Sequence, residues 1–426
     1  MNKSIVGRAW NRVERQFGNS CRILLWIACI AASGLCSAAD HAEHSSSHAS
    51  DKAKVWKAAI SRKPQAVSVA LDGKGGLWKA YVQGGHVLVS HSDNHGKSYT
   101  PPVAVNTEPE LVAAIGENRP KIVVDRNGGI HVSYTQNLEA PFAGHIRYSR
   151  SLDSGKTFSP PITVNDNLDP ITHGFNAMAV NERSQIYIAW IDKRDSMIAN
   201  KKGEKYQGAA IYYAISEDGG NTFHKNIKVA DHSCECCRVA MSMDSDGIPV
   251  IVWRNIFGNN IRDHAMMRLD GNLRPVRLSS ENWEADACPH HGPAVSIAKD
   301  GIYHFVWFSN APGRHGLFYA NSSDQGKHFS SPVNFGHFQS QASHPDVLSL
   351  NQHVYVAWKE FDGQVTGVYL MHSSDGGKSW SAPQHIASTG DTSDYPLLAG
   401  YGDQSYLAWN TVAEGFRFIR LAGGVQ

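Results

Sequence analysis

The sequence predicts an all-β chain folded as a β-propeller, and three observations carry that expectation. A short apolar strand ending in an aromatic residue recurs seven times, as "LWKAYV", "IHVSYT", "IYIAWI", "PVIVWR", "YHFVWF", "VYVAWK" and "SYLAWN". The aromatics are Tyr81, Tyr134, Trp190, Trp253, Trp307, Trp358 and Trp409, with gaps of 53, 56, 63, 54, 51 and 51 residues. Units of this length, each a strand-turn-strand pattern, stack as propeller blades of about four strands. The composition agrees: Gly at 38 residues and aromatics at 10% favour strands and turns over helices. The third observation is a turn motif, Ser-x-Asp-x-Gly-x-x-aromatic, in "SLDSGKTF", "SEDGGNTF", "SSDQGKHF" and "SSDGGKSW", with "SDNHGKSY" as a fifth copy carrying Asn94 in place of Asp.

Ahead of the repeats, residues 1–39 read as a cleaved export signal. Lys3, Arg8, Arg12, Arg15 and Arg22 form a basic segment, "ILLWIACIAASGL" (Ile23 to Leu35) is an apolar run too short to span a bilayer comfortably, and "CSAAD" supplies small residues for cleavage. Residues 40–53, with His41, His44 and His48, have no apolar periodicity and read as a His-rich flexible tail. Residues 54–426 form a single propeller domain. The expected location is periplasmic or secreted, with no membrane span in the mature chain. Lys+Arg at 40 against Asp+Glu at 39 excludes the basic footprint of a nucleic-acid binder.

In the turn motif the Asp and Gly close a tight turn, Ser and Asp tie it to backbone, and the aromatic plugs the base of the sheet. It resembles the Asp-box of the sialidase-like, or BNR-repeat, propellers, and the resemblance covers the whole mature chain. Sialidases of that kind have six blades, whereas the aromatic strands here count seven. The seventh unit ends at "FRFIRLAGGVQ", too soon for an outer strand, and "KVWKAAISRK" (Lys54 to Lys63) is positioned to supply it and close the ring.

Propeller connectivity places the candidate site. Segments before each inner strand and after each second strand share one face, opposite the Asp-box turns, and line the channel mouth. Before inner strands come Arg119, His173, "HSCECCRVA", "ACPHHGPAV", His344 and Tyr395; after second strands come Asp192, Arg194, Arg254, Asn255, Arg262, His264, Arg314, His315, Lys359, Glu360 and Asn410. Blades three to six thus each bring a histidine to the mouth.

All four cysteines of the mature chain, Cys234, Cys236, Cys237 and Cys288, fall in blades four and five. An exported chain allows disulfides, and a bond from Cys288 to the trio would clip the two blades, leaving a strained near-neighbour pair. Soft thiolates and imidazoles in this density also suit copper, or secondarily zinc. The metal-ligand candidates are Cys234, Cys236, Cys237, Cys288, His232, His290, His291 and His344. The family resemblance implies a different use of the same mouth: an exo-glycosidase acting on acidic sugars, with Arg119, Arg254 and Arg314 on a carboxylate and Tyr395 assisted by Glu235 as nucleophile. A third class is a protein-interaction scaffold stapled by disulfides. The expected partner is a metal ion or a small anionic ligand.

Overall fold

A computed structural model describes residues 65–271, 274–287 and 289–421. The export signal, the His-rich tail, the Lys54–Lys63 segment and Cys288 lie outside the described residues. The remainder forms seven antiparallel sheets, six of four strands and one of three, each pairing its strands in chain order. The inner strands are Val67–Leu71, Lys121–Val124, His173–Val180, Ala240–Met243, Ala294–Ile297, Ser343–Leu350 and Leu397–Tyr401. The three-stranded sheet is the seventh, Leu397–Tyr401, Gln404–Thr411 and Gly415–Arg420. Seven blades is therefore the count, rather than six.

The second strands carry the core. Pro249–Arg254 is buried at every position, and Trp190, Trp253, Trp307, Trp358 and Trp409 are sealed. Each apolar cluster joins two neighbouring blades, as where Trp253 and Ile251 of blade four pack with Ile191 and Ile211 of blade three. Sheet faces burying against each other is what makes the repeat cooperative. A buried indole N–H needs an acceptor, and three blades supply it two residues on: Trp190 donates to Asp192 at 2.9 Å, Trp253 to Asn255 at 2.9 Å and Trp358 to Glu360 at 2.7 Å. Those polar residues, read in the sequence as facing the mouth, serve the core.

The Asp-box turns form as the motif demands. In blade six Ser373 Oγ donates to Asp375 Oδ1 (2.7 Å) while accepting from Gly377 N (2.8 Å), and Asp375 Oδ1 accepts from Ser379 N (2.9 Å). Asn94 fills the Asp position in blade one: its Oδ1 accepts from Ser92 Oγ and Ser98 N, both at 2.9 Å, and its amide donates to Ser98 Oγ at 2.8 Å. The motif aromatics wedge between their own blade and the preceding one, Phe223 against Tyr148 and Trp380 against Tyr319. Blade one meets blade seven through Tyr401, whose hydroxyl donates to Gly73 O at 3.0 Å, and through Tyr99 against Phe416.

Among the described residues one α-helix, Arg194–Lys201, interrupts the all-β pattern. It follows the second strand of blade three and accounts for part of the long 63-residue gap between Trp190 and Trp253. Tyr212 Oη donates to Asp195 at 2.7 Å and anchors it to the sheet. Among the described residues no helix is long and apolar enough to cross a membrane.

Candidate functional site

The outer strand of blade three, Ile227–Ser233, ends at the thiol loop, and the inner strand of blade four begins at Ala240. The loop is zipped to the end of the blade-four second strand, with Cys234 N donating to Arg254 O at 2.9 Å and Ile256 N to His232 O at 2.6 Å. His232 takes a left-handed φ of 62°, which folds the chain sharply inward. The result is three buried side chains, Cys234, Cys236 and Cys237, whose sulfurs lie within 4.8 Å of one another.

The separations from Cys234 Sγ are 3.8 Å to Cys236 and 3.7 Å to Cys237, and all three are free thiols. A disulfide needs about 2.05 Å, so Cys234 is bonded to neither neighbour, while the expected Cys288 clip lies outside the described residues. Arg262 Nη1 donates to Cys234 Sγ at 3.3 Å. Hydrogen bonds from the Cys236 and Cys237 thiols, with the charge of Arg254 nearby, pull the Cys234 pKa far below an ordinary thiol. Donation to Cys234 raises that of Cys236, and burial raises that of Cys237.

A second constellation adjoins it, built on a residue the sequence reading passed over. Glu117 is buried, and its carboxylate accepts from Arg238 N (2.8 Å), Arg238 Nη1 (3.1 Å) and Gly292 N (2.8 Å), with His344 Nδ1 at 3.3 Å. Burial alone would raise its pKa, but Arg238 and His344 win and hold it well below the usual carboxylate range. His344 stacks on Tyr395 at 3.5 Å and 10°, and His291 lies against His344 at 4.4 Å. Burial lowers the pKa of His344 to about 4 and that of His291 to about 2, so both imidazoles are neutral near pH 7. Two glycines permit this packing: a Cβ on Gly116 would sit 2.1 Å from the Tyr395 ring, and one on Gly292 2.3 Å from Arg238. Blades two, four, five, six and seven therefore meet at one point.

The expected metal-ligand set divides. Among the described residues the mutually close ligand atoms are the three sulfurs alone. His344 and His291 belong to the Glu117 constellation. His232 turns toward Gln207 O (3.1 Å) and packs on Tyr206, and His290 is exposed. Of the other mouth histidines, His173 is buried with Nδ1 2.7 Å from Gly144 O.

The expected carboxylate clamp is not assembled, because each arginine is already engaged. Arg119 makes a buried two-pronged ion pair with Asp394 at 2.8 and 2.7 Å. Arg254 donates to three backbone carbonyls, Arg262 O, His291 O and Phe308 O. Arg314 is exposed and reaches Glu281 at 3.3 Å. Glu235 is half-buried and pairs with Lys193 at 2.8 Å. The carboxylates whose charges bear on Tyr395 are Glu117 and Asp394.

No protein-family model matches the chain, and no curated protein matches it in sequence. Solved structures share its fold. The BP39L lectin from Burkholderia pseudomallei superposes with a TM-score of 0.54 at 12% identity, over 85% of this chain and 98% of the lectin. A PL25 polysaccharide lyase, an ulvan lyase bound to -[GlcA(1-4)Rha3S]-, gives 0.51 at 11% identity, over 83% and 93%. A protein of unknown function from Dyadobacter fermentans gives 0.50 at 15%, over 74% and 96%. These structures share the fold alone: the chain is a seven-bladed β-propeller with Asp-box turns.

Proposed function

We propose that this propeller is an exported metal-binding protein that holds a soft cation, copper(I) first and zinc(II) second, on Cys234, Cys236 and Cys237. The observation that carries this reading is the trio of buried, unbonded sulfurs within 4.8 Å of one another. Thiolates favour soft d10 ions, and binding would displace the remaining thiol protons onto solvent. Arg262 and Arg254 lower the cost of collecting thiolate charge in a buried loop. Three sulfurs suit copper(I), which accepts low coordination; zinc(II) would need a fourth ligand.

The test is metal content of protein purified from its export compartment, with thiol titration on the same sample. Near-stoichiometric copper or zinc that is lost in Cys236→Ser/Cys237→Ser supports the reading. Metal-free protein with three reactive thiols that takes up neither ion on titration ends it.

A second reading is carbohydrate binding or processing at the same mouth. The lectin and lyase folds of its structural neighbours support it, as does the Tyr395–His344 stack beside Glu117. Turnover or binding of acidic oligosaccharides that Tyr395→Phe reduces and Cys236→Ser leaves intact would favour it over the metal reading.

A further inference from the structure

Among the described residues five large apolar side chains are at least half exposed, and four of them stand on one stretch of the mouth face: Ile115 at 58%, Phe142 at 90%, Leu168 at 67% and Ile198 at 50%. Met197, beside Ile198 on the helix Arg194–Lys201, is 39% exposed. The fifth, Leu152, belongs to an Asp-box turn on the opposite face. The segments that carry the four are hydrogen-bonded to one another in order around blades two and three. Asn137 N donates to Leu111 O at 2.7 Å, Thr172 Oγ1 to Phe142 O at 2.9 Å and Lys193 N to Thr172 O at 3.1 Å. Apolar side chains gathered on adjoining segments of one face mark an interaction surface, where scattered ones would not.

Phe142 is held there at two costs. Its φ of 60° is left-handed, which disfavours a bulky side chain, and its ring finds no packing within the chain to offset that strain. The charges beside the stretch are arranged by sign. The blade-three end carries exposed Lys201, Lys202 and Lys205 against a single exposed Glu204. Exposed Glu108 lies in the connection from blade one to blade two, and exposed Asp169 in the connection from blade two to blade three. Among the described residues none of Lys201, Lys202, Lys205, Glu108 and Asp169 makes an ion pair. Mixed signs do not suit an anionic lipid surface or a polyanion. A basic end and an acidic end with apolar groups between them are complementary to the same stretch turned by a half rotation.

We propose that this surface docks a second copy of the chain about a two-fold axis. Phe142, Leu168 and Ile198 form the apolar centre, and Lys201 and Lys202 of each copy face Glu108 and Asp169 of the other. The two copies meet mouth face to mouth face. The pairing does not depend on the metal reading.

The experiment is sedimentation equilibrium of the purified chain from about 1 to 100 μM. The parent shows a monomer–dimer equilibrium that weakens in high salt, because the paired charges lie at the rim. Phe142→Asn and Ile198→Asp each weaken association by roughly tenfold or more, and Leu152→Asp on the opposite face leaves it unchanged. Thermal unfolding of dilute monomer separates docking from folding: Phe142→Asn is at least as stable as the parent, because Asn accepts the left-handed backbone. Lys201→Glu/Lys202→Glu and Glu108→Lys/Asp169→Lys each self-associate roughly tenfold more weakly than the parent, and an equimolar mixture of the two recovers dimer. A monomer throughout the range, association indifferent to both Phe142→Asn and Ile198→Asp, association lost equally in Leu152→Asp, or a mixture no tighter than its components overturns the pairing.

Discussion

Arg262 donates from Nη1 to Cys234 Sγ at 3.3 Å while its Nε holds Ala285 O at 2.7 Å. One guanidinium thus fixes the thiol loop of blade four to the segment that leads toward blade five. Arg262→Met should raise the Cys234 pKa and weaken metal affinity by roughly 10–100-fold, as removal of a group orienting a ligand does. Ultraviolet thiolate absorbance against pH, and copper(I) competition with a chelator, measure the two effects.

Glu117 and Arg238 are a buried pair joined by two hydrogen bonds. Breaking one side leaves the other charge stranded, so Glu117→Gln should cost roughly 3–5 kcal/mol in urea unfolding. Replacing both by apolar residues in Glu117→Met/Arg238→Met should recover most of that loss. Equal destabilisation in the single and double variants would contradict the pairing.

Blade one shows that Asn serves in an Asp-box, so Asp375→Asn should cost roughly 1 kcal/mol or less. Gly377→Ala should cost roughly 2–4 kcal/mol. Its φ is 87°, and the added Cβ would lie 1.9 Å from the Tyr319 hydroxyl. Paired chemical denaturation curves give the difference.

Desolvation, with Arg119 and Arg238 nearby, lowers the Lys121 pKa in the folded chain from the ordinary 10.5 to about 7. Between those values the unfolded chain binds the proton and the folded chain does not, so stability rises with pH across that window. Lys121→Met should flatten this rise. Thermal unfolding of both proteins at intervals from about pH 6.5 to 10 measures it.

The blades, the turns and the thiol loop were legible because each is local. A strand period shows in neighbouring residues, a turn motif spans eight positions, and Cys234, Cys236 and Cys237 lie within four. The use of the arginines was not legible. Arg119 looks the same in "ENRPKI" whether it faces a substrate or Asp394, which is 275 residues away. The histidines misled for a related reason: His232, His291 and His344 occupy equivalent repeat positions, but the left-handed backbone of His232 and His344 and the His291–His344 ring contact send them to different neighbours. Glu117 and Arg238 carried a faint signal, one lying two residues before Arg119 and the other directly after Cys237. Nothing in either segment names the other as its partner.

The distances along the chain also set an order of assembly. Glu117 must wait 121 residues for Arg238, 175 for Gly292 and 227 for His344, and Val67 N waits 327 for the Asp394 carboxylate that secures blade one to blade seven. The thiols need no such wait. A chain emerging N-terminus first presents a complete sulfur loop while its last blades are still unmade. The thiols are thus exposed to solvent reagents first and sealed last, when completion of the ring turns an open loop into a buried one.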